Sequence, residues 1–326
     1  MKILVRLPNW LGDVVMSVAF IKSLRNQFPE AEIHVIIKKE LSEIVALIKE
    51  IDTIHLFSKS EFNGLLGLLK FGKQFKSQKF DLFYCLPYSL SAAIISWASN
   101  AKIRIGFKND FSSIFFTQSI SKPKNVHRVV EYLSLLNSKE NLNDSRFNTH
   151  LIINQKHKNN IILINFNSEA VSRRMPLDKA VSIIRTIELN FPESSLGFIG
   201  SSKDSDYVNS LISNFKNPLF INFSGKTNLI ELMNLMASSS VLLTTDSGPA
   251  HLANSVSKPV IVLFGAGDEN NTAPFNTKNR HIIRLGKLPC EPCKKNTCKF
   301  GDTRCLGLLP VDEIVELLRK YLNFKN

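Results

Sequence analysis

Five groups of residues in this chain have types and spacings that can do chemistry. The first is Asn9-Trp10-Leu11-Gly12-Asp13, between an apolar run and a segment of helical period. A glycine at such a turn lets backbone approach a ligand closely. Asp13 has two readings: the N-cap of the helix, or a carboxylate that projects as a general base. The G-x-G-x-x-G spacing of a dinucleotide fingerprint is absent. The second group is Thr244-Thr245-Asp246-Ser247-Gly248-Pro249-Ala250-His251. Here a strand ends, a turn follows, and Pro249 suits the first helical position. Free N–H groups at such a helix start suit a phosphate, with Ser247, Gly248 and His251 close by. The plain alternative is an ordinary capped helix with His251 packed inside. The third group is Asn165-Phe166-Asn167-Ser168, followed by Ser172-Arg173-Arg174-Met175-Pro176. Two arginines at a helix start oppose its dipole, so they need an anion or solvent. Paired guanidinium groups suit a diphosphate.

The fourth group is a run of cysteines, Cys290, Cys293, Cys298 and Cys305, spaced C-x2-C-x4-C-x6-C. In a chain without a secretory signal this favours a metal site over disulfides. Zinc held by four thiolates is the metal it suits, as a structural and not a catalytic ion. Reduced thiols without a ligand, a disulfide and an iron–sulfur centre stay open. The fifth group is Lys70, Lys73, Lys76 and Lys79, interleaved with Leu65, Leu66, Leu68, Leu69, Phe71 and Phe75. The spacing predicts a basic amphipathic helix over residues 62–79. Such a face lies on an anionic membrane, or is a solvated lysine face above a core-facing stripe.

These groups need elements to hold them, and the hydrophobic pattern supplies an alternation of strand and helix. Strands are expected at 2–7, 32–37, 53–57 and 81–86, with helices at 12–28 and 41–48 between them. The pattern fades over residues 138–158, which read as linker, and restarts with a strand at 161–165. Helices are then expected at 176–190, 204–213, 229–237, 250–255 and 311–322, and strands at 195–199, 219–223, 241–245 and 259–264. Continuous apolar strands alternating with helices imply parallel sheets covered on both faces, with ligands at the carboxyl ends of the strands. A length of 326 residues fits two such domains. The formal charge of +13 divides almost evenly, +7 in residues 1–150 and +6 in the rest. It fits a nucleic acid, an anionic membrane or phosphorylated substrates. No zinc-finger pairing or aromatic RNA-binding motif supports nucleic acid. No apolar run reaches the length of a membrane span. The N-terminus enters Ile3-Leu4-Val5 without a basic stretch and apolar block, so the cytoplasm is the expected compartment.

Taken together, the segments resemble the bacterial lipopolysaccharide heptosyltransferases, nearest to the heptosyltransferase II type. The resemblance rests on Arg6 through Met16, Phe28-Pro29-Glu30-Ala31-Glu32-Ile33 and Arg104-Ile105-Gly106-Phe107. It rests also on His127 with Tyr132-Leu133, on Arg173-Arg174-Met175-Pro176, and on Thr245-Asp246-Ser247-Gly248 with His251-Leu252-Ala253. It implies a GT-B α/β fold, two Rossmann-like domains facing a central cleft. Residues 1–150 would bind the acceptor and 151–310 the nucleotide sugar, with the helix in 311–326 packing back on the first domain. It implies inverting, metal-independent transfer of heptose from ADP-heptose to an anionic lipid-linked inner-core glycan, at the cytoplasmic face of the inner membrane.

The resemblance assigns roles residue by residue. Asp13 matches the general base and Arg173 the basic group that neutralises the departing diphosphate. Asp246, Ser247, Gly248 and His251 match the phosphate-binding turn, and Asn167 and Ser168 lie where small residues approach the phosphates. Arg174 joins them, Thr227 falls near the base or ribose, and Asp204 fits a carboxylate that receives ribose hydroxyls. Asn9 and Gly12 count among the substrate-binding residues. A related glycosyltransferase with another nucleotide sugar, and a non-catalytic binder on the same fold, are the competing readings.

Overall fold

The computed structural model describes residues 1–136, 147–153 and 159–322. Most of the expected linker at 138–158 therefore lies outside the described residues. The chain divides into two compact units, Met1–Thr149 and His150–Asn326.

The first unit runs β1 (Lys2–Arg6), α1 (Leu11–Gln27), β2 (Glu32–Lys38), α2 (Ser42–Val45), β3 (Thr53–Phe57), α3 (Gly64–Lys73), β4 (Leu82–Cys85), α4 (Leu90–Ala98), β5 (Ile103–Phe107), β6 (Gln118–Ile120) and α5 (Arg128–Leu133). Its strands form one parallel sheet in the order β3-β2-β1-β4-β5-β6. Strand order reverses between β1 and β4, and the crevice at that reversal is where an open α/β sheet binds ligands. α1 follows β1 directly and is buried on nearly every side, from Val14 through Ile21. The short α5 packs on it.

The expected long basic helix at 62–79 is shorter. α3 ends at Lys73, a tight turn spans Lys76–Gln78, and Lys79 takes a left-handed conformation at φ 53°. The apolar residues divide as well. Phe71 and Phe75 enter the core beneath, whereas Leu65 and Leu66 at the helix start point outward, 59% and 80% exposed. Glycines at 64, 67 and 72 weaken the continuous helix that the spacing suggested.

The second unit runs β7 (Ile161–Asn165), α6 (Leu177–Asn190), β8 (Ser195–Phe198), α7 (Ser205–Ile212), β9 (Phe220–Asn222), α8 (Leu229–Ser238), β10 (Val241–Thr245), α9 (Gly248–Ser255), β11 (Val260–Phe264), α10 (Glu269–Thr272), β12 (Arg280–Arg284), α11 (Arg304–Gly307) and α12 (Val311–Arg319). The sheet is again parallel, in the order β12-β11-β10-β7-β8-β9. β10 and β11 are buried along their whole length, as their unbroken apolar sequences require. The last helix, α12, buries its stripe of Ile314, Leu317 and Leu318 in the second unit's own core, with Ile183 and Ile187 of α6. Strand order reverses between β7 and β10, so the loops after these two strands flank the expected ligand crevice.

Candidate active site

In the first unit the site begins with a buried arginine. Arg6 ends β1 and is 3% exposed. Its Nη1 donates to the carbonyls of Leu7 (2.9 Å) and Ile36 (3.0 Å), and its Nη2 to Asn9 Oδ1 (2.6 Å). Burial lowers its pKa to about 10, so it stays cationic at neutral pH. Asn9 thus shapes the β1–α1 turn through its side-chain oxygen. Gly12 and Asp13 follow in the first turn of α1. The helix is capped at Trp10 with no side-chain hydrogen bond, which removes the N-cap reading of Asp13. The Asp13 carboxylate instead accepts a hydrogen bond from the Tyr132 hydroxyl of α5, at 3.2 Å. Burial pushes the Asp13 pKa up. The charge of Arg128, the Tyr132 hydrogen bond and Lys122 pull it down, and Glu131 opposes them. Two exposed rings stand near the same end of the sheet. Lys38 Nζ lies 5.7 Å from the centre of the Trp10 ring, and Lys122 Nζ lies 5.6 Å from that of Tyr88.

In the second unit the loops after β7 and β10 are tied together. Asn165 Nδ2 donates to Thr244 Oγ1 (3.0 Å), Ser247 Oγ (2.9 Å) and the Asn167 carbonyl (3.2 Å), and Thr245 Oγ1 donates to the same carbonyl (3.2 Å). Asn167 is 4% exposed. Its Nδ2 donates to the Ile199 carbonyl at 2.9 Å, and its Oδ1 is buried with no hydrogen-bond partner. Arg173 Nη1 stands 3.2 Å from Asp246 Oδ2, an ion pair not aligned as a hydrogen bond. Burial raises the Asp246 pKa to about 6, against the charges of Arg173 and Arg284. Ser247 caps α9 by its backbone alone, because its hydroxyl belongs to the Thr244–Asn165 network. The first turn of α9 therefore carries no side-chain cap. His251 is buried on that helix.

Arg174, Ser168 and Asp204 form a second cluster. Arg174 Nη2 contacts the Ser168 carbonyl at 3.3 Å and Asp204 Oδ1 at 3.4 Å, and its guanidinium lies over the Tyr207 ring. Asp204 also accepts from the Ser201 backbone N–H and hydroxyl in a capping box. Thr227 precedes the Asn228 cap of α8. Sequence reasoning missed Arg284. From β12 it donates to the carbonyls of Gly265 and Gly267 and pairs with Glu269. It fixes the loop after β11, in which a Cβ at Gly267 would stand 2.0 Å from Asp246 Oδ2. No local motif marks that arginine. The hydrogen bond from Tyr132 to Asp13 was also invisible, since the two residues are 119 apart in the chain.

Cys290, Cys293, Cys298 and Cys305 are free thiols lining one small cavity with Ser172, Gly265 and Glu291. Ser172 also donates its hydroxyl to the Lys295 carbonyl and its N–H to the Asn296 carbonyl at 3.1 Å, linking the cysteine loop to the Arg173 turn. Among the described residues, no three His, Cys, Asp or Glu side chains stand close enough together to hold a metal.

The family model for glycosyltransferase family 9 (heptosyltransferase) matches residues 68–303. The chain belongs to this family. A lipooligosaccharide heptosyltransferase 2 of Campylobacter jejuni is 24% identical over 331 residues, spanning 99% of this chain and 98% of that protein. The structure of the Escherichia coli ADP-heptose lipopolysaccharide heptosyltransferase II matches with a TM-score of 0.82 at 20% identity, over 99% and 98% of the two chains. That of the E. coli heptosyltransferase WaaC with ADP matches at 0.78 and 12%, over 98% and 100%. The two sheets are those of the GT-B fold, and the chain is a glycosyltransferase of the heptosyltransferase family. A non-catalytic binder is not favoured.

Proposed function

We propose that the chain transfers heptose from ADP-heptose to the inner core of a lipopolysaccharide precursor, with inversion and without a catalytic metal. The observation that carries this reading is Asp13: a half-buried carboxylate, aimed by Tyr132, at the strand-order reversal of the first sheet. As the acceptor oxygen attacks the anomeric carbon, Asp13 takes the hydroxyl proton, and the bond from that carbon to the diphosphate breaks. Attack opposite the leaving group inverts the configuration. General base catalysis of this kind contributes about 10²–10⁴-fold. Negative charge grows on the leaving ADP, and Arg173 with the uncapped first turn of α9 takes it up. Asn167, Ser168, Arg174, Asp246, Ser247 and Gly248 shape the phosphate site, His251 supports it from within α9, and Asp204 and Thr227 face the nucleoside.

In this reading residues 1–150 bind the acceptor and 151–310 the donor. Lysines over the exposed rings of Trp10 and Tyr88 suit a phosphorylated sugar, which stacks on a ring and pairs with the ammonium. Leu65 and Leu66 beside Lys70 and Lys73 support a peripheral seat at the cytoplasmic face of the inner membrane. No described helix is long and apolar enough to cross a membrane. Four thiols around one cavity have the donor chemistry of structural zinc. They are not drawn together in this structure, so the ion would have to contract the loop. Cys290, Cys293, Cys298 and Cys305 would hold it, bracing the segment bonded to Ser172.

The test is transfer from ADP-heptose to a lipid-linked inner-core acceptor in buffer containing EDTA. Wild-type protein turns over, and a folded Asp13→Asn variant loses at least about 100-fold. Near-normal turnover by that variant removes Asp13 from the base role. Loss of wild-type turnover in EDTA, with the fold intact, overturns metal independence.

A further inference from the structure

We infer that α5 sets the state of Asp13: Tyr132 aims its carboxylate, and Glu131 engages the two cations that would otherwise neutralise it. The inference rests on the reading of Asp13 as the base. The geometry is compact. Tyr132 is 4% exposed and reaches Asp13 Oδ1 from a helix packed on α1. The adjacent Glu131 is 5% exposed, and its Oε2 lies 3.2 Å from Lys122 Nζ and 3.3 Å from Arg128 Nε. The charged and titratable groups that act on Asp13 are therefore Arg128, Glu131 and Tyr132 from α5 and Lys122 from the segment after β6.

Each arrangement that α5 avoids would weaken a base. A carboxylate paired directly with lysine or arginine holds its charge too firmly to take a proton. A carboxylate buried alone is protonated already and has nothing to offer. Asp13 sits between these limits. One neutral donor stabilises and orients the ion, and the nearby cations are shared with a buried counter-charge. Tyr132 is a positioning residue here, since it touches the base and not the reacting atoms.

Two variants move Asp13 in opposite directions, which loosened packing does not do. Tyr132→Phe keeps the ring and removes the hydrogen bond, so the acid limb of kcat/KM moves to higher pH. Turnover on the alkaline plateau falls on the order of tenfold, because the carboxylate is no longer aimed. Glu131→Gln removes a like charge and leaves Lys122 and Arg128 in place, so the limb moves to lower pH. A second readout does not depend on turnover: the carbon-13 titration of the Asp13 carboxylate, assigned by its loss in Asp13→Asn, in wild type and both folded variants.

Opposed displacement of the titration in the two variants supports the inference. Coincident titrations, or displacement of both in one direction, overturn it. The two readings fail separately. If Asp13→Asn transfers normally while the titrations are displaced oppositely, the base assignment falls and the hold of α5 on Asp13 stands. If Asp13→Asn is inactive and the titrations coincide, the base assignment stands and the role given to α5 falls.

Discussion

Replacing Asp246 by Asn should make the protein more stable at neutral pH and a worse catalyst. Asp246 is 4% exposed, and its pKa stands at about 6 against an ordinary 3.8. Between these two values the folded chain keeps a proton that the unfolded chain has released. Stability therefore falls as pH rises through that window, and the loss is complete above about 6. A gap of about two pH units corresponds to about 3 kcal/mol. Asn has no proton to lose and escapes this cost. The same change strips Arg173 of its partner 3.2 Å away. That guanidinium is 29% exposed and can turn to water, and its attraction for the carboxylate is already contained in the pKa of about 6. The expected gain is about 3 kcal/mol at pH 7.5, shrinking to about 1 kcal/mol near pH 4.5. Urea unfolding of both proteins at the two pH values reads the difference directly. Transfer from ADP-heptose should fall in the same variant, because Arg173 loses the carboxylate that aims it. Equal destabilisation of Asp246→Asn at both pH values would show that Asp246 carries no buried charge, and the reasoning would be wrong.

The alternation of strand and helix was legible because parallel strands buried on both faces are written as unbroken apolar runs, as in Val241–Thr245 and Val260–Phe264. β12 escaped because its sequence, Arg-His-Ile-Ile-Arg, is polar at both ends and its pairing with β11 lies outside any local window. The long lysine helix was over-read for a related reason. Spacing by three fits a helix, but it cannot show that Phe71 and Phe75 turn to the core while Leu65 and Leu66 turn away. In the candidate site, Asp13, Arg173 and Asp246 stand out in the sequence because each sits where a strand hands over to a helix. The groups that set their chemistry were not. Tyr132 and Arg284 reach the site from distant segments, and Glu131 acts through its neighbours. Type and spacing therefore mark a candidate group, whereas its protonation depends on contacts that only the fold creates.

Two further predictions concern the second unit. Protein purified without oxygen should carry close to one zinc per chain, lost on Cys290→Ser with Cys293→Ser; zero zinc with four titratable thiols in wild type would refute the structural ion. Gly267→Ala should damage donor binding, because the new Cβ would stand 2.0 Å from Asp246 Oδ2 and 3.4 Å from Phe264 Cδ1. The carboxylate and the new Cβ cannot both stay in place. Retreating, the carboxylate leaves Arg173; remaining, it forces back the loop that Arg284 holds through the carbonyls of Gly265 and Gly267. Either route moves groups that face the diphosphate. ADP affinity should fall at least about tenfold, with an overpacking cost of about 1–3 kcal/mol in stability. Gly307→Ala in α11 is the matched control, since its Cβ meets nothing nearer than Pro176 Cγ at 4.0 Å. Calorimetric titration with ADP separates the two variants. Wild-type affinity in Gly267→Ala would mean that Asp246 and its loop can shift without disturbing Arg173, and the close backbone approach would have no part in holding the donor.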